Sequence, residues 1–176
     1  MTGTELKPRM RNVVAIVPEA MHALQAFSRS AESTGISPAT TMLVTLRASQ
    51  INACSVCVEL HSRSMRESGE SEERIAGVAA WRHMPYFSAA ERAALALTEA
   101  VTRLSDRSDP VPDTVWNEAR QQFNEAELAG LLIGIAAINA WNRLNVATGQ
   151  VAGVWKPEGG EWRTAPPPSA SANGSS

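Results

Sequence analysis

The sequence predicts an all-α protein, and three observations carry that expectation. Alanine is abundant and β-branched runs are short. No stretch of useful length alternates apolar with polar residues, as a half-buried strand would. Twice a serine or asparagine stands three positions before a glutamate, immediately ahead of an apolar segment, which is the pattern of a helix N-terminus capped by both side chains.

The elements follow in order. Ser37-Pro38 opens the first clear helix, with the serine as cap and the proline in the first turn; Met42, Leu43, Leu46 and Ile51 suggest its buried side. It runs to about Gln50 or Ile51, where Asn52 breaks or bends the chain. A second helix begins near Cys54 and ends at Gly69. Ser71, Glu72 and Glu73 start a third, "SEERIAGVAAW", which stops before Pro85. Ser88 and Glu91 form a capping box ahead of "RAALALTEAVTRL", and Asn124 with Glu127 does the same ahead of "LAGLLIGIAAINAWNRLNVA". Between these two lies "TVWNEARQQF", amphipathic, with Trp116 and Phe123 on one face. Gly130 and Gly134, four apart in the last helix, predict a close approach by another backbone, inside the fold or across a subunit contact.

At 176 residues the chain fits one domain, expected over residues 1–165 and followed by a disordered Pro/Ser-rich tail over 166–176. A domain of that size needs no disulfide or structural metal to hold its core. The balance of 16 Lys+Arg against 18 Asp+Glu supplies no basic field for nucleic acid or anionic lipid. "LAGLLIGIAAI" is about half the ~20 residues a membrane-spanning helix needs, so no membrane role is expected. The apolar "VVAIV" near the N-terminus is short and has no small-residue cleavage site behind it; a cytoplasmic location is the expectation.

The chain's two cysteines lie in "INACSVCVELH". At helical spacing Cys54, Cys57 and His61 fall within an arc of about 60° on one face. A helix N-terminus and a nearby imidazole both lower a thiol pKa. Cys57, four residues before His61, has the better geometry to share a proton with it, and Cys54 is placed to close a disulfide on Cys57. Such a trio can reduce an oxidant: a thiolate attacks a peroxide oxygen and becomes a sulfenic acid, and the second thiol condenses with it. Other uses of such a pair make different demands. Zinc needs four ligands, for which only His22 and His83 could join this set, and no second CxxC exists. Attachment of c-type haem needs the histidine directly after the second cysteine, so it is excluded. A thioredoxin-like context needs strands that the sequence does not suggest. Two buried cysteines on an apolar helix face remain an alternative. No metal or cofactor is expected.

"LVTLRASQINACSVCVELHSR" (Leu43 to Arg63) resembles the core motif of the carboxymuconolactone decarboxylase-like superfamily, in particular its alkyl hydroperoxidase D-like (AhpD-like) branch, where a helix carries C-x-x-C-x-x-x-H. "AWRHMPYFSAAERAALALTEAVTRLSD" and "INAWNRLNVATG", with Asn139, Trp141, Asn142 and Arg143, look like the later helices of that branch. The resemblance covers roughly residues 12 to 155. It implies a helical-bundle subunit that assembles into homo-oligomers, trimers or hexamers. It also implies that Cys57 attacks peroxide, Cys54 resolves it and His61 belongs to the proton relay. The substrate would be a hydroperoxide and the electron donor a dithiol. One position departs from the pattern: Met42 stands where the branch often has a relay glutamate, leaving Gln50 or Glu91 as possible substitutes. Lactone decarboxylation, the chemistry that names the superfamily, is the alternative activity; a non-catalytic redox-responsive oligomer is a third.

The remaining polar and aromatic residues have plainer expectations. His22 and His83 read as surface or interface histidines, and Trp81, Trp116, Trp141, Trp155 and Trp162 as core or interface anchors. Arg47 and Arg143 read as ion-pairing side chains.

Overall fold

Helix starts are set by short polar side chains that satisfy the first free N–H groups. In the computed structural model, which describes residues 6–153, Ser37 Oγ accepts from Thr40 N at 3.1 Å to open α3 (Pro38–Ile51). Both expected capping boxes form: Ser88 with Glu91 opens α6 (Ala89–Thr102), and Asn124 with Glu127 opens α8 (Glu125–Ala147). The other α-helices are α1 (Val13–Ile16), α2 (Pro18–Ser30), α4 (Ser55–Glu67), α5 (Glu72–Gly77) and α7 (Asp113–Gln122). The fold is all-α: the described residues contain these eight helices, three short 3-10 segments and no strand. The tail expected over 166–176 and two of the tryptophans, Trp155 and Trp162, lie outside the described residues.

The long α3 is the centre of the bundle, packing against α4, α6 and α8. Leu43 and Leu46 enter one apolar cluster with Met65, Ile75, Val78, Trp81 and Leu95. Val44 enters another with Leu97, Leu128, Leu131 and Ile135, on which Trp116 and Phe123 pack from the α7 side. A third, smaller cluster joins Ala48 to Cys54, Cys57 and Ile138. Two sides of α3 thus supply the main core, and its C-terminal end meets the cysteines.

Three elements differ from the sequence expectation. Helices α1 and α2 precede the first helix that was predicted; α2 has no fully buried residue, so its apolar signal is weak. The helix expected over "SEERIAGVAAW" ends at Gly77 and continues as a 3-10 segment, Val78–His83, in which Ala80 leaves helical geometry at φ −123°, ψ 29°. The break turns Trp81 inward, where its indole N–H donates to Glu99 Oε1 at 2.8 Å, and Gly77 gives room to Met84 and Phe87. In α8, a Cβ at Gly130 would overlap Thr34 Oγ1 and crowd Ile36, the predicted close approach, but a Cβ at Gly134 would meet nothing within 4 Å. Gly134 instead lines a cavity.

Glu99 is buried and fully compensated. Arg47 reaches its Oε1 through Nε (2.9 Å) and NH2 (2.6 Å), and Arg82 NH1 reaches Oε2 at 2.6 Å while its guanidinium stacks over Trp81. Desolvation opposes the charge, but these donors hold the carboxyl below its usual range. No helix among the described residues is long and apolar enough to cross a membrane.

Candidate redox site

The turn between α3 and α4 places the cysteines. Ala53 has φ 53°, in the left-handed region, and its N–H bonds to Gln50 O while that of Cys54 reaches back to Ser49 O at 3.0 Å. This pair of bonds is the glycine-type termination of a helix, here built on alanine. The residue after the left-handed one is Cys54, which is also the N-cap of α4. Cys57 then falls in the first turn, at the end of a helix where backbone N–H groups and the dipole favour negative charge.

Both cysteines are free and buried. The Cys57 sulfur accepts from Asn145 Nδ2 at 3.4 Å. The hydrogen bond from the Cys54 thiol is the largest influence on Cys57; burial opposes it, and Asn145 and Asn142 add to it, leaving its pKa lowered to about 7. Cys54 is pushed the other way, well above the ordinary thiol range, because it is the donor in that bond, is buried and sits beside the Cys57 charge. The pair is therefore polarised, with Cys57 the sulfur that loses its proton first and Cys54 the one that keeps it.

Cys57 and His61 line the same cavity, of about 620 Å³. Its apolar wall includes Val14, Val56, Leu60, Ile138 and Trp141, and its polar side includes Gln25, Arg29, Glu32, Thr41 and Thr45. Burial lowers the His61 pKa to about 4, so the imidazole is neutral at pH 7. His61 has no hydrogen-bond partner among the described residues, whereas Cys57 has Asn145.

The other sequence candidates lie elsewhere. Met42 packs against the Leu43–Leu46 cluster and accepts from Ser68 Oγ at 3.5 Å. Gln50 accepts from Arg47, and Glu91 caps α6 and pairs with Arg74; neither lines the cavity. Glu32 is the carboxylate that does. His22 and His83 are exposed and away from the cavity, whereas Trp141 lines it and donates to Ser28 Oγ at 3.4 Å. Among the described residues no group of three or more His, Cys, Asp or Glu could hold a metal ion.

Behind the cysteines lies an amide network. Asn52 Nδ2 donates to Asn139 Oδ1 at 2.9 Å and to Asn142 Oδ1 at 3.0 Å, and Asn142 Nδ2 donates to Ser49 Oγ at 3.2 Å. Arg143 donates to Asn139 O at 3.1 Å. Sequence reasoning did not single out Asn145. The signal for it was available in the three-residue spacing of Asn139, Asn142 and Asn145, which repeats an amide along one side of α8.

Fold and site together define a helical protein with a polarised dithiol at the N-terminus of a helix, its Cys57 facing a cavity. Comparison with known proteins gives the family. The Carboxymuconolactone decarboxylase family matches residues 18–100. YdfG of Bacillus subtilis, an uncharacterized protein, is 33% identical over 134 residues, covering 76% of this chain and 90% of its own. YnjA of Escherichia coli, also uncharacterized, is 32% identical over 107 residues, covering 60% of this chain and 57% of its own. A crystal structure of ATU0492 from Agrobacterium tumefaciens, a protein of unknown function described as a candidate antioxidant defence protein AhpD, superposes with a TM-score of 0.77 at 34% identity over 85% of this chain and all of that one. The chain belongs to the carboxymuconolactone decarboxylase family, in its AhpD-like branch.

Proposed function

We propose that this protein is a thiol-dependent hydroperoxide reductase of the cytoplasm, where a dithiol donor keeps the pair reduced. One observation carries the proposal: Cys57, on the wall of a cavity large enough for an organic molecule, has its pKa lowered to about 7 while its neighbour Cys54 stays a thiol. The Cys57 thiolate attacks the terminal oxygen of a hydroperoxide, forming the S–O bond as the O–O bond breaks. His61, neutral and on the same cavity wall, gives its ring proton to the departing alkoxide, which leaves as an alcohol, and the ring regains a proton from solvent, to which Cys57 lost its own. The Cys54 thiol then attacks the sulfenic acid, releasing water and forming the Cys54–Cys57 disulfide. A dithiol donor reduces that disulfide and is itself oxidised.

The exposed apolar side chains Ile16, Val17, Phe27 and Val146 support assembly of like subunits, and the family resemblance makes the assembly a trimer or hexamer. In a coupled assay with dithiothreitol as donor, wild type should consume cumene hydroperoxide and Cys57→Ser should lose at least about a hundredfold in rate. Full turnover by Cys57→Ser contradicts the proposal. Lactone turnover that survives Cys54→Ser/Cys57→Ser would support decarboxylation instead.

A further inference from the structure

The amide of Asn145 is a buried polar group aimed at the dithiol from the opposite helix. Its residue is 9% exposed, and its Nδ2 donates to Cys57 Sγ at 3.4 Å. It also favours negative charge on Cys54, against the stronger effects that raise that thiol's pKa. Its oxygen is engaged from the other side, where Asn12 Nδ2 lies 3.5 Å from Asn145 Oδ1. Asn12 is itself fixed, since its Oδ1 caps α1 by accepting from Val14 N at 3.1 Å. With the oxygen held by a donor, the NH2 end is the one presented to the sulfurs.

We propose that Asn145 is a catalytic residue of this site, a hydrogen-bond donor to Cys57 Sγ that stabilises that sulfur when it carries negative charge, and that Asn12 orients it. The inference rests on Cys57 and Cys54 acting as a redox pair. In the oxidative half, the charge before attack is on Cys57. In the reductive half, a donor thiolate attacks one sulfur of the disulfide, forms a mixed disulfide and expels the other sulfur as a thiolate. The donor's second thiol then attacks the mixed disulfide, releasing the oxidised donor and the second protein sulfur; the donor's two protons end on the two cysteines. When Cys57 is the departing sulfur, its thiolate lies within reach of the same amide. A carboxamide does not titrate, so this donor is available at every pH, unlike an imidazolium. His61, neutral at pH 7 and unbonded to either sulfur among the described residues, leaves that place to Asn145.

The test is site-resolved alkylation of the full-length reduced protein by iodoacetamide across pH, with the rate of disulfide reduction by dithiothreitol measured alongside. Wild type should show a Cys57 midpoint near 7. Asn145→Ala should raise it by about one unit, which below both midpoints is a roughly tenfold fall in thiolate, and should slow disulfide reduction in the same direction. Asn145→Asp, which places a carboxylate beside the sulfur, should raise the midpoint further, and Asn12→Ala should give a smaller rise. An unchanged midpoint in Asn145→Ala overturns the inference. Should that variant fail to fold, unchanged midpoints in Asn145→Asp and Asn12→Ala overturn it equally. Hydroperoxide consumption by wild type separates the two claims: no consumption with a shifted midpoint sinks the peroxidase and leaves Asn145 in place, while normal consumption with an unshifted midpoint does the reverse.

Discussion

Asn52 holds Asn142 with a 3.0 Å hydrogen bond across the interface between the end of α3 and the middle of α8. The same amide also reaches Asn139, so one side chain at a helix C-cap fixes the turn that carries both cysteines. Asn52→Ala leaves the buried Asn142 oxygen without that donor, whereas Asn139 keeps the bond from Arg143. The expected cost is about 2 kcal/mol, read as a fall in the urea midpoint at unchanged slope.

Ala53 occupies a left-handed turn that glycine adopts without strain. An L-residue there costs roughly 1–2 kcal/mol, and glycine's greater unfolded-state entropy offsets about half of that. Ala53→Gly should therefore stabilise the protein by up to about 1 kcal/mol in chemical denaturation. A destabilised variant would show that the turn is not left-handed in solution.

Glu99 binds two arginines and an indole from a buried position, and its folded pKa is lowered from 4.5. Its contribution to stability is complete above the unfolded value and is lost as pH falls through the depressed folded value. Glu99→Gln should cost about 3 kcal/mol at pH 7, since it leaves Arg47 without its carboxylate. The gap between variant and wild type should narrow in denaturation measured below pH 4.5.

His61 behaves in the other sense for its charged form. Its pKa is lowered from 6.5 to about 4 by burial, so the unfolded chain binds a proton in this window that the folded chain does not. Stability contributed by the neutral ring is present above pH 6.5 and is lost as pH falls toward 4, by about 1–3 kcal/mol. His61→Gln should flatten the pH dependence of the denaturation midpoint between those values. An equally steep dependence in the variant would place the titrating group elsewhere.

Local signals in the sequence made much of the architecture legible. Ser37, Ser88 and Asn124 announce their helices because a cap is a contact within four residues, and each forms in the structure. The broken helix after Gly77 was not legible, because Trp81 turns inward to meet Glu99, 18 residues away. The break expected at Asn52 put Cys54 and Cys57 at the start of a helix, and the helix begins there. Their partner is another matter: Asn145 lies 88 residues from Cys57, and only the folded α8 brings it there. His61, chosen for its four-residue offset, shares the cavity wall with Cys57, but no spacing rule reports that burial leaves its ring neutral. Met42 looked like a gap in a relay; the structure turns it into the core and puts Glu32, from a segment the sequence left unassigned, on the cavity wall.

The order of events at the two sulfurs is tested most directly by a single turnover resolved by mass spectrometry. Reduced protein is mixed anaerobically with one equivalent of cumene hydroperoxide, with dimedone present to trap sulfenic acid. Wild type should lose two hydrogens and yield a peptide bridging Cys54 to Cys57. Cys54→Ser should stop at a dimedone adduct on Cys57, and Cys57→Ser should remain reduced. An adduct on Cys54 in the Cys57→Ser protein, formed as fast as the wild-type bridge, would contradict the assignment of Cys57 as the attacking sulfur.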